Sequence, residues 1–154
     1  MMHAVSALDY DWIIPGLAQG SYPQPLRAPY DEGFDVVVFS AMELQPKRFR
    51  PPDGKTVILI PMDDTEYAPI TMEDDKKLRE ISRSLARHVR AGRKVLTTCA
   101  QGRNRSGLLS ALTIVRLRHA PPDKAIQLVK RNRRAPSGEA LTNMMFERYI
   151  RMQK

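Results

Sequence analysis

Residues 94–115 read KVLTTCAQGRNRSGLLSALTIV, and this stretch decides the fold. Lys94–Thr98 is short, apolar and β-branched, which predicts a buried strand. Ser106–His119 carries Leu108, Leu109, Leu112, Ile114, Val115 and Leu117, apolar nearly all round, which predicts a helix inside the core. Between them the spacing is Cys99-x-x-Gly102-x-x-Arg105-Ser106. A loop that curls into a helix N-terminus aims successive backbone N–H groups at one centre, and the helix dipole adds positive potential there. Ala100, Gln101, Gly102, Arg103 and Asn104 are therefore expected to cradle a phosphate-sized dianion, with Arg103 and Asn104 facing the entrance. Gly102 permits a backbone angle and a close approach that a side chain would block.

The same field acts on Cys99. A lone cysteine is most often a small buried apolar residue. Beside a helix N-terminus and a guanidinium, however, a thiol loses its proton more readily, and the thiolate is the attacking form. Arg105 offers a planar fork for two phosphoryl oxygens and would hold the equatorial oxygens more tightly in the transition state. Ser106 can donate to the sulfur and help it leave. Phosphoryl transfer also needs an acid for the departing oxygen and a base for water. The acids lie in 61–70, PMDDTEYAPI, where Asp63, Asp64 and Glu66 stand after a strand. The alternative role for such aspartates is to cap turns.

Outward from this centre, Asp35–Ser40 and Thr56–Ile60 lack alternation and predict strands buried on both faces, the second stopped by Pro61. Trp12–Ile14 and Leu17–Ala18 predict two short strands broken by Pro15-Gly16, while 21–33 and 45–55 read as irregular, exposed connections. Thr71 is placed to cap a helix, with Asp74 in the capping-box position; Leu78, Ile81, Leu85 and Val89 line one face and Gly92 ends it. Pro121-Pro122-Asp123 opens a helix to about residue 133, and 139–152 predicts a last helix with Leu141, Met145, Tyr149 and Met152 inward. The sum is one α/β domain over 1–154, a central, mostly parallel sheet of short strands flanked by helices.

Composition bounds the rest. The chain is 42% hydrophobic, enough for one core, and no apolar run approaches the roughly 20 residues of a membrane span. The start, MMHAVSALDYDW, lacks the features of a targeting segment, so a soluble cytoplasmic protein is expected. One cysteine excludes an internal disulfide and a multi-thiolate zinc site, and His3, His88 and His119 lack metal-ligand spacing. No metal or other cofactor is expected. A formal charge of +8 points to an anionic partner without separating nucleic acid, lipid and phosphate esters.

CAQGRNRSG at 99–107, between a buried strand and a buried helix, resembles the phosphate-binding signature of the protein tyrosine phosphatase superfamily. The chain length and the short 61–71 connection are similar to its dual-specificity branch, and the resemblance runs from about Trp12 to Ile150. It implies a hydrolase working through a cysteinyl-phosphate, with Cys99, Arg105, Asp64 and Ser106 as catalytic residues. Asp64-Thr65 matches the family's general-acid loop better in register than Asp63 does. The implied substrates are proteins bearing phosphotyrosine, phosphoserine or phosphothreonine. RNA 5′-phosphates or phosphoinositides are the alternative, and a non-turning-over binder of phosphorylated partners is the rival of a different class. Relatives carry a basic helix end followed by Asn-x-x-Phe, here Asn143 and Phe146, and in some an arginine matching Arg133 reaches a second phosphate. Read without the resemblance, 129–134 is a solvated helix end. One departure stands out: the family places His before the cysteine, and this chain has Thr98.

Overall fold

The computed structural model describes residues 8–153. The β-branched runs form one five-stranded sheet, built from β1 (Tyr10–Ile14), β2 (Leu17–Gly20), β3 (Val36–Ala41), β4 (Thr56–Met62) and β5 (Val95–Thr98), in the order β1-β2-β5-β3-β4. The β2–β5, β5–β3 and β3–β4 pairs are parallel, and β1 joins as an antiparallel edge strand. Every residue of β3 and β5 is buried, as central strands covered on both faces must be.

β4 departs from the reading of a strand buried on both faces and stopped at Pro61. It lies at the open edge of the sheet, and its Leu59 is 50% exposed. The strand continues through Pro61 to Met62, with the register slipping between Phe39–Leu59 and Ala41–Met62. Proline's missing N–H does no harm on an edge strand. A single 3₁₀ turn, Met42–Leu44, follows β3 directly.

Among the described residues five helices flank the sheet: α1 (Ala28–Asp31), α2 (Met72–Arg90), α3 (Arg105–Arg118), α4 (Pro122–Asn132) and α5 (Met144–Arg151). The short α1 falls inside the stretch expected to be irregular. Thr71 Oγ1 accepts from the Asp74 N–H at 3.1 Å, capping α2, which buries Leu78 and Leu85. All residues of α3 from Arg105 to Val115 are buried, so this helix is the spine of the larger core. A second core on the opposite sheet face gathers Tyr30, Phe34, Val37, Phe39 and Leu96.

The expected helix over 139–152 begins later. Arg134–Ala135 (β6) and Gly138–Glu139 (β7) form a small hairpin instead, and Asn143 Oδ1 caps α5 by accepting from the N–H groups of Met145 and Phe146. Leu141 is buried outside the helix, at φ 53°, while Phe146 and Ile150 face the core and Met152 is 71% exposed. A side-chain cap at Asn143 wins over continued helix because the turn at Pro136-Ser137-Gly138 has already broken the chain. Among the described residues no helix is long and apolar enough to cross a membrane.

Leu112→Ala is expected to cost about 2–5 kcal/mol in urea unfolding, as a cavity inside α3's packing. Leu59→Ala on the exposed edge should change the same measurement by less than about 1 kcal/mol.

Candidate active site

β5 ends at Thr98 and α3 begins at Arg105, so 99–104 must turn from a central strand into a buried helix. Gly102 takes φ +71°, and a Cβ there would lie 2.4 Å from the carbonyl carbon of Gly20 and 2.5 Å from Arg133 Nη2. Gly20 is equally confined, with Asp9 O at 2.3 Å from an added Cβ. The loop thus rests backbone to backbone on the end of β2, which only glycines allow.

Arg133 fastens the loop from behind. Its Nε donates to Gly102 O at 2.8 Å and its Nη2 to Gln101 O at 3.0 Å. Gln19 Nε2 donates to Gly102 O as well, at 3.1 Å. Because peptide units are planar, carbonyls turned back leave the next N–H groups, those of Gly102 and Arg103, pointing the opposite way. The same guanidinium pairs with Asp9 at 2.7 Å and Asp11 at 3.0 Å. Burial pushes the Asp9 carboxyl up, but hydrogen bonding and charge from Arg133 outweigh it and hold the group below 3.8. This corrects the expectation for Arg133, which is 1% exposed, fully committed and behind the loop. It neither ends a solvated helix nor reaches a second phosphate.

In front of the loop is a cavity of about 250 Å³ lined by Cys99, Ala100, Gln101, Arg103, Asn104 and Arg105, with Glu43 and Asp64 at its rim. Cys99 Sγ is 3% exposed by residue and sits 3.2 Å from Ser106 Oγ. Arg105, 6% exposed, grips Glu43 with Nη1 at 2.5 Å and Nη2 at 2.9 Å, and Nη1 also donates to Met62 O. That grip pushes the Glu43 carboxyl down to about 2. Arg105 Nε is buried and has no partner among the described residues. A buried donor without a partner is costly, and an oxyanion in the cavity would satisfy it.

Asp64 belongs to this cavity and Asp63 does not. Asp64 Oδ1 accepts from Asn143 Nδ2 at 2.7 Å and Oδ2 from Asn104 Nδ2 at 3.1 Å. Asn143 Nδ2 also donates to Thr65 O, so one amide fixes both the acid and its loop. Asp63 faces an open groove beside the cavity, lined with Met42, Glu43, Asp64 and Arg105. Arg103 leans away from the cradle, its Nε donating to Glu139 O at 2.8 Å. Thr98 is fully buried and donates to Val38 O at 2.6 Å, so it contributes order but no charge. His3 lies outside the described residues, and among those described no cluster of three His, Cys, Asp or Glu could hold a metal ion.

Two residues of the site escaped sequence reasoning. Glu43 had one available signal, an acid directly after a central parallel strand, where α/β sheets place their ligands. Asn143 had one as well, its place in the Asn-x-x-Phe match, but nothing local tied it to Asp64, 79 residues away.

No family model matches the sequence, and no curated protein matches it. The solved structures do match. A mouse chain assigned to the dual specificity phosphatases and complexed with zinc tungstate superposes with TM-score 0.75 at 22% identity, covering 97% of this chain and 89% of that one. Human DUSP28 gives 0.74 at 23%, over 94% and 91%. This is the dual-specificity phosphatase fold. Tk-PTP in its active form shares it at TM-score 0.72 and 24% identity, over 95% and 98% of the two chains. The dual-specificity fold places Cys99 at the C-terminal end of β5 and Asp64 just beyond β4.

Gly102→Ala should lower stability in urea while the far-UV spectrum is kept, since the clash displaces the loop and not the sheet. Arg133→Met should lower stability by about 3 kcal/mol in urea at neutral pH, as two half-buried carboxylates lose their partner. A depressed carboxyl stabilises the fold above its unfolded value and loses that effect as pH falls through the folded one. The gap between wild type and Arg133→Met should therefore close below about pH 4.

Proposed function

We propose that residues 1–154 form one phosphatase domain hydrolysing phosphate monoesters through a cysteinyl-phosphate. The observation that carries this reading is the convergence of Cys99, the half-satisfied Arg105 and the doubly held Asp64 on one cavity. Cys99 thiolate attacks phosphorus in line. The bond to the leaving oxygen breaks as Asp64 donates its proton to that oxygen. Arg105 Nε and the amides of Gly102 and Arg103 stabilise the equatorial oxygens during transfer. Asp64 then takes a proton from water, which attacks phosphorus and expels the sulfur, while Ser106 donates to the departing thiolate. The substrates in this reading are proteins bearing phosphotyrosine, phosphoserine or phosphothreonine, supported by the likeness to dual specificity phosphatases. An Orf virus protein of the same fold, at TM-score 0.66, is described as a tyrosine phosphatase with triple substrate specificity.

A non-catalytic binder needs only the cradle. Asp64 held by two amides and a hydroxyl beside the thiol support turnover over mere capture. The polyanion reading, through RNA ends or phosphoinositides, is left with the net charge of +8 as support once Arg133 is buried.

Cys99→Ser should abolish hydrolysis of an aryl phosphate yet retain phosphopeptide binding. Turnover near the wild-type rate would overturn the nucleophile. Asp64→Asn should slow poor leaving groups by about 10²–10⁴, and acidic phenols less. If Asp63→Asn shows that pattern instead, the acid is its neighbour. Chelators should leave the rate unchanged.

A further inference from the structure

The net charge of +8 misdescribes the mouth of the site. Between Glu80 and Asp123 the sequence has no acidic residue, and much of its excess charge lies there, in Arg83, Arg87, Arg90, Arg116 and Arg118. These residues sit at the far end of the molecule. Arg90 Nη2 donates to the carbonyls of Arg116 and Leu117, which joins the C-terminal ends of α2 and α3. α3 starts at the cavity, and its fourteen residues carry Arg118 about 20 Å away.

At the mouth the balance is reversed. Cavity and groove together are lined by five charged side chains, Glu43, Asp63, Asp64, Arg103 and Arg105. Glu43 is matched by Arg105, and the Arg103 guanidinium is tied to the hairpin carbonyl of Glu139. Arg133 is fully committed behind the loop. The buried, unpartnered Nε of Arg105 marks where one phosphoryl group belongs. With that dianion seated, the one other lining cation is Arg103, drawn to the hairpin side of the cavity by Glu139 O, while Asp63 stands exposed on the open groove beside Met42. Met42 is 53% exposed and offers an apolar shelf leading to that carboxylate. Lysine and arginine have the complementary shape, an aliphatic stem ending in a cation.

We propose that this groove selects phosphopeptides with a lysine or arginine next to the phosphorylated residue, the stem lying along Met42 and the cation on Asp63. The inference rests on the phosphatase reading of the site and names its substrate class. It also turns the site away from inositol polyphosphates, 5′-triphosphorylated RNA and doubly phosphorylated peptides, whose extra anions would meet Asp63.

The test is fluorescence anisotropy with the Cys99→Ser protein and a pair of phosphotyrosine peptides differing only in flanking Lys or Glu. The Lys peptide should bind about fivefold tighter, a preference that 0.5 M salt reduces. Asp63→Asn in the same background should bring the ratio to within about twofold, and Asp63→Lys should invert it. Equal binding of the two peptides overturns the inference. So does a ratio that both Asp63 variants leave untouched, or stronger competition by an inositol polyphosphate than by the Lys peptide. The ratio is read within each protein, so it does not depend on variants of equal stability. A protein that hydrolyses aryl phosphates without a lysine preference loses only this inference. One that keeps the preference and never hydrolyses loses only the phosphatase reading.

Discussion

Arg133 holds two backbone carbonyls of the 99–104 loop on one side of its guanidinium and two carboxylates on the other. A buried arginine is tolerated only when each donor has a partner, and here Nε, Nη1 and Nη2 all do. The consequence runs through the site. Pinned carbonyls fix the peptide planes of the loop, those planes aim the opposite amides into the cavity, and the start of α3 follows from where the loop ends. Asp11 lies in β1 and Asp9 just before it, so the edge of the sheet and the centre of the site share one ionic contact. Gly20 and Gly102 are the steric half of the same constraint, since any side chain at either position would lift the loop off β2.

Two arginines of similar sequence appearance therefore do opposite work. Arg133 turns every donor inward to the protein and has none to offer a ligand. Arg105 spends Nη1 and Nη2 on Glu43 and Met62 O but leaves Nε unmatched. The Glu43 pair fixes where the guanidinium lies and so where its unmatched Nε sits. Glu43 also tempers the positive field that Arg105 would otherwise present to Cys99. Thr98, standing directly before Cys99, adds a buried hydrogen bond to Val38 O and no charge.

Charge is segregated rather than spread. Cations crowd the C-terminal ends of α2 and α3, where they also suit the helix dipoles, while carboxylates ring the mouth of the cavity. A net charge summed over the chain averages these two regions and describes neither.

The sequence alone determined the parts that depend on neighbours in the chain. The strand–loop–helix of 94–115, the Thr71 cap, and the placing of Cys99, Gly102, Arg105 and Ser106 are local, because side-chain periodicity and turn chemistry act over a few residues. The preference for Asp64 over Asp63 followed from register with relatives, and the geometry places Asp64 in the cavity with Cys99. Tertiary structure decided the rest. That β4 is an edge strand which tolerates Pro61 depends on sheet order, which hydrophobicity along a strand does not encode. That Arg133 faces inward depends on carboxylates more than a hundred residues upstream, and a run of basic residues looks the same whether or not such partners exist. Glu43 and Asn143 joined the site for the same reason: the contacts that define them, 62 and 79 residues away in sequence, exist only once the chain has folded.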